Sequence, residues 1–154
     1  MQQPEPLGYE HTQDSPQWLV VLVSLYAIVV FSFAMALIRS DEAPIGMALL
    51  IILTQGFVFL AVLDATRLTT AVTPNEVRVR FRLGWPSRVI DRGRIVAATA
   101  HRNTWLHGWG IRKIIRGWLW AVWGLDSVEL ELDDGRIFRI GTDDTAGLLA
   151  ALGN

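Results

Sequence analysis

"HGWGIRKIIRGWLWAVWGL", residues 107–125, gathers four tryptophans, three Lys or Arg side chains and four glycines in one short stretch. It has to be a third membrane segment, a binding surface or the inside of a small fold. Its apolar centre, "WLWAV" (118–122), is far too short to cross a bilayer, and Gly117 and Gly124 bracket it as a strand. Alternation puts Trp118, Trp120 and Val122 on one face and Leu119, Ala121 and Trp123 on the other, so both faces are apolar. The preceding "HGWGIRKIIRG" reads as an exposed loop or a short irregular strand, carrying Arg112, Lys113 and Arg116, with Trp105 and Trp109 at its beginning.

On either side of this stretch the pattern is that of a β-domain. In "VRVRFRL" (77–83) apolar and basic residues alternate, which sends Val77, Val79, Phe81 and Leu83 inward and Arg78, Arg80 and Arg82 outward. "SVELELDDGRIFRIGT" (127–142) alternates likewise, and Asp134-Gly135 at its centre marks a tight hairpin turn. Further strands are expected at 68–74, 87–91 and 95–101. Thr142 is placed to cap a final helix over 143–152, with Asp143 and Asp144 at its positive end and "AGLLAAL" as its apolar stripe. About seven strands and one helix within 67–154 predict a small barrel or bent sheet closed by that helix.

The first 66 residues are of another kind. "WLVVLVSLYAIVVFSFAMALI" (18–38) and "IGMALLIILTQGFVFLAVL" (45–63) contain no Asp, Glu, Lys, Arg or His, and each is long enough to span a hydrocarbon core as a helix. The connector "RSDEAP" (39–44) permits only a tight hairpin, so 18–66 is read as a transmembrane helical hairpin with both termini on one side. The leader has no Lys or Arg, unlike a signal peptide, and 1–17 is expected to be a disordered tail before an uncleaved anchor. Arg67, Arg78, Arg80 and Arg82 follow the second span against Arg39 alone in the connector, which places both termini in the cytoplasm and the protein in the inner (plasma) membrane. Thr54, Gln55 and Gly56, at the centre of the second span, are candidate helix-packing residues.

The net charge of −1 conceals an uneven distribution: −5 over residues 1–64, +9 over 67–116 and −5 from 117 onward. The basic block is the part nearest the second span, facing an anionic leaflet. Two readings of the Trp and basic surface stand. In one, Trp105, Trp109, Arg112, Lys113 and Arg116 rest on the membrane; in the other, the tryptophans complete a small core and the basic residues pair with the acidic C-terminal third. The basic trio is assigned to the membrane, while for the tryptophans both readings remain open.

Catalytic chemistry finds no support. There is no cysteine, and His101 and His107 have no acidic residue near them in sequence. No catalytic, cofactor-binding or metal-ligating residue is therefore expected, no cofactor, and no nucleic-acid partner. A two-helix anchor, "GWGIR" (108–112), the Gly117–Gly124 block, "VELELDDGRIFRIGTDD" (128–144) and "LLAAL" (148–152) together resemble the small bacterial membrane proteins with a pleckstrin-homology-like (PH-like) domain. The resemblance implies a seven-stranded bent sheet capped by a C-terminal helix, acting as a binding or scaffolding module without catalytic residues. The expected partners are the lipid bilayer and either a protein or a second copy of the chain. Anionic-lipid sensing is the alternative, and an accessory subunit of a membrane enzyme or transporter a third reading.

Overall fold

The computed structural model describes residues 8–39, 44–105 and 110–153. The chain divides into two compact units, Ser15–Asp64 and the two flanks that enclose it in sequence.

The first unit is a pair of helices, α1 (Gln17–Arg39) and α2 (Ile45–Asp64), both long and apolar enough to cross a membrane. Twenty residues at 1.5 Å each give about 30 Å, the thickness of a hydrocarbon core. Ser24 and Ser32 donate their hydroxyls to the carbonyls of Val20 and Ile28, both at 2.8 Å, so neither leaves an unsatisfied polar group on an apolar helix. The helical residues agree with the expected spans to within one position at each end. The alanines buried in this unit are Ala34 and Ala48, which lie at similar distances on either side of the connector.

The second unit is mostly β. Its strands are β1 (Tyr9–Asp14), β2 (Arg67–Val72), β3 (Glu76–Phe81), β4 (Ser87–Asp91), β5 (Ile95–Arg102), β6 (Gly110–Ile114), β7 (Gly117–Ala121), β8 (Asp126–Leu132) and β9 (Ile137–Gly141), followed by helix α3 (Thr145–Leu152). They form an antiparallel four-stranded sheet, β1-β2-β3-β4, and a five-stranded sheet, β5-β8-β9-β7-β6, in which β7 and β9 are parallel. A Cβ on Gly117 would sit 1.6 Å from the Ile137 carbonyl oxygen, so only glycine lets β7 start that close to β9. Gly135, at φ 74°, makes the β8–β9 turn that Asp134-Gly135 predicts.

The core lies between the sheets and beneath α3. Val77, Val79 and Phe81 meet Trp120, Phe138 and Leu130, and Leu148 of α3 closes over them. Trp120 packs at 5.5 Å from Phe81 and edge-on at 5.6 Å from Phe138, as aromatic quadrupoles favour.

Several expectations are corrected. The described residues hold nine strands, not about seven, because two further segments join the sheets. The first is Tyr9–Asp14, in a region read as a disordered tail; the second is Gly110–Ile114, where a loop or a short irregular strand was expected. Both are edge strands, and an edge needs no alternating apolar face. Leu83 points outward from the β3–β4 turn, since β3 ends at Phe81. The helix starts at Thr145 rather than 143: the Asp144 carboxylate accepts the Gly147 N–H at 2.9 Å as its cap, while the Thr142 hydroxyl accepts the Asp144 N–H.

Candidate interaction surface

The opening stretch becomes the β6–β7 hairpin, and it answers the question of the tryptophans unevenly. Trp120 is core, Trp118 is half-exposed beside it, and Trp123 is partly buried against the core. Trp105, before the hairpin, is 78% exposed. Trp109 and His107 lie outside the described residues. Leu119 and Trp120, on opposite faces of β7, are both buried, while Trp118 at the start of the strand is not.

Arg112 and Lys113 are exposed on β6, the outermost strand of its sheet. Arg116 is used differently. It sits at φ 67° in the hairpin turn, and its guanidinium donates to the Gly135 carbonyl at 2.7 and 3.0 Å and to Glu131 at 3.3 Å. Its bonds therefore hold the β6–β7 turn against the β8–β9 turn, within the basic-to-acidic pairing that was the alternative reading. The outward arginines of β3 pair locally, Arg78 with Glu76 at 2.6 Å and Arg80 with Glu10 at 3.5 Å, rather than with Glu129 or Glu131.

Glu129 is bonded instead by Arg139 at 2.5 Å, and both side chains are mostly buried. Arg139 also donates to Asn103, whose amide donates to Ser127 at 3.0 Å, and the Ser127 hydroxyl reaches the His101 carbonyl at 2.9 Å. This chain of bonds fixes the end of β5 and the loop that leads to Trp105. At the other side of the unit Arg88 of β4 lays its guanidinium 4.7 Å over the Phe138 ring, and burial lowers its pKa.

The strand that sequence reasoning missed is the one most heavily fastened. Tyr9 donates its hydroxyl to Asp144 at 3.0 Å, and His11 meets Asp143 at 2.6 Å. The buried Gln13 donates to the Trp123 carbonyl at 3.1 Å. From the opposite face Thr12 bonds Thr69, and Asp14 takes both donors of Arg67 at 2.6 and 3.0 Å. Neither Tyr9, His11 and Gln13 nor Glu10, Thr12 and Asp14 makes an apolar set, so no alternation marks this strand in the sequence.

In the helical unit Thr54 and Gly56 are exposed and Gln55 half-buried, and a Cβ on Gly56 would have no neighbour within 4 Å. The residues buried there include Ala34 and Ala48, while Thr54 and Gly56, on opposite sides of α2, are both open. Among the described residues no group of three or more His, Asp or Glu side chains is placed to hold a metal ion. Comparison with family models, curated proteins and solved structures gives no match.

Proposed function

We propose that this protein is a non-catalytic membrane-anchored interaction module. Its helical hairpin crosses the inner membrane with both termini cytoplasmic, and its PH-like β-domain offers the β6 edge to a partner protein. One observation carries the reading: the hairpin is inserted between two paired strands. β1 precedes α1 by two residues, β2 follows α2 by two, and Asp14 and Arg67 face each other in the ladder. The β-domain is therefore joined to the helical pair through two short connectors rather than one linker.

The edge strand supports the choice of a protein. β6 bonds β7 on one side only among the described residues, and its free edge can accept an extended segment of a partner. Arg112 and Lys113 favour a segment with acidic side chains. The exposure of Trp105, together with that of these cations, favours a second reading, an anionic-lipid surface.

A photo-crosslinking residue at position 113 of the full chain, activated in native membranes, separates the two. A discrete protein adduct, lost when Arg112→Glu is added, supports the protein module. Adducts to lipid alone favour the lipid reading, which then predicts a steep loss of adduct with added salt. No adduct of either kind overturns both.

A further inference from the structure

The turn between β3 and β4 carries two large apolar side chains that the core does not use. Leu83 is 69% exposed and Trp85 is 79% exposed, far more than Trp118. The turn is ordered by its own bonds: Gly84 N–H donates to the Phe81 carbonyl at 2.9 Å, and Phe81 N–H to that of Pro86 at 3.3 Å. Arg82 is exposed beside them. Paired arginines lie nearby, Arg67 of β2 on Asp14 and Arg80 of β3 itself on Glu10.

The register shows where this turn lies. Leu68 of β2 faces Phe81, the last residue of β3, so the turn that follows Phe81 leaves the sheet at the end where β2 begins, two residues after α2. Asp14, next to Arg67, leads into Ser15 and Pro16 and so to α1. Both connectors to the helices and the Leu83–Trp85 turn thus share one end of the four-stranded sheet. Adjacent strands are about 4.8 Å apart, and the interfacial zone of a bilayer is about 5–8 Å deep on each side. The connectors keep this end of the sheet within a few residues of α1 and α2 along the chain, and indole partitions to the interfacial zone of a bilayer. Trp18, in the first turn of α1, is likewise exposed next to its connector.

We propose that the β3–β4 turn is an interfacial anchor: Leu83 and Trp85 insert at the boundary of headgroups and acyl chains of the membrane that α1 and α2 cross, with Arg82 at phosphate level. The anchor rests on the reading of α1 and α2 as spanning helices. It adds a third point of attachment to the membrane. Ile115, exposed in the β6–β7 turn, is the comparison position within the β unit: it lies beyond the Gly117 end of β7, away from Trp123, whose carbonyl accepts from Gln13.

The chain has no cysteine, so single cysteines introduced into the full-length protein report position directly. Leu83→Cys, Trp85→Cys, Ile115→Cys and Leu53→Cys are spin-labelled and reconstituted in nanodiscs of phosphatidylcholine and phosphatidylglycerol. Collision with oxygen is then compared with collision with a water-soluble nickel chelate. The labels at 83 and 85 are expected to favour oxygen severalfold over the label at 115, at a shallower depth than the label at 53. Labels at 83 and 85 as aqueous as that at 115, with 53 in hydrocarbon, overturn the anchor and leave the spanning hairpin intact. An aqueous label at 53 overturns the spanning reading and the anchor with it. Ser87→Cys, which keeps both Leu83 and Trp85, repeats the test if either variant loses its β circular dichroism.

Discussion

Phenylalanine 57 and phenylalanine 138 are the same side chain in opposite surroundings. In the helical unit Phe57 is 74% exposed and the fully buried residues include alanines, whereas in the β unit Phe138 is completely buried and the surface carries ion pairs. If the helical pair spans a membrane as proposed, the two units obey the same rule in two solvents. In water, apolar area is removed to the inside. In hydrocarbon there is no such drive, so large apolar side chains face out and small ones allow close helix packing. Their connection is equally informative, since the lipid-type unit is inserted into the edge of the water-type sheet, with β1 on one flank and β2 on the other.

That insertion gives the largest effect. A fragment starting at Arg67 lacks β1 and uncovers the β2 edge, along with Asp143, Asp144 and the Trp123 carbonyl that β1 holds. It is expected to lose cooperative unfolding and to aggregate. Residues 8–14 joined to 65–153 by a short Gly/Ser linker should restore a soluble folded domain, as thermal unfolding followed by near-ultraviolet circular dichroism will show. Equal behaviour of the two forms would mean that β1 contributes nothing. Next in size, Phe138→Ala should destabilise the β-domain by about 3–5 kcal/mol. Phe57→Ala should leave its denaturation midpoint where it was, so equal shifts from the two variants would abolish the contrast drawn between the units.

How much of this was legible differs between the units for a physical reason. Two uncharged runs of membrane length identify themselves, and the helices agree with them to within one residue. Val77, Val79, Phe81 and Val128, Leu130, Leu132 were legible because alternation leaves each strand only one way to face a core. β1 was not, since "YEHTQD" is bonded through polar side chains and its partner strand lies beyond the whole hairpin in sequence. The candidate surface was legible as a set of residues but not as an assignment of work. Arg116 reads as a surface cation until the turn brings Gly135 and Glu131 to it. Trp85 has no periodicity to mark it, and only the register of β2 with β3 shows which end of the sheet it occupies.

Within the β unit the same comparison can be made between half-buried and exposed charge. Arg139→Met leaves the Glu129 carboxylate and the Asn103 carbonyl without that donor, at a cost of about 1–3 kcal/mol read from urea midpoints. Arg102→Met removes an exposed 3.5 Å pair with Asp126 and should cost about 0–1 kcal/mol. A double-mutant cycle with Glu129→Gln separates the Arg139 pair from the packing of its stem. A coupling no larger than that of the exposed pair would show that water reaches Glu129 freely.

The smallest effect is that of pH, and its sign follows from three carboxylates. Asp14 is held below the ordinary carboxylate range by its bonds from Arg67, Asp134 by the Arg136 N–H, and Asp144 by the Gly147 N–H and then the Tyr9 hydroxyl. A depressed folded pKa means that the unfolded chain takes up protons first as pH falls. The stabilisation is complete above the unfolded value of about 4 and is lost as pH drops through the folded values. The melting temperature of the β-domain should therefore decline below about pH 4, and Asp144→Asn, which can still cap α3, should flatten part of that decline. The two apolar runs hold no carboxylate between Gln17 and Ile38 or between Ile45 and Leu63, so no such proton uptake occurs within them. In nanodiscs at low pH the near-ultraviolet signal of the β-domain should fade while the helical far-ultraviolet signal persists. Simultaneous loss of both signals would show that the two units unfold as one.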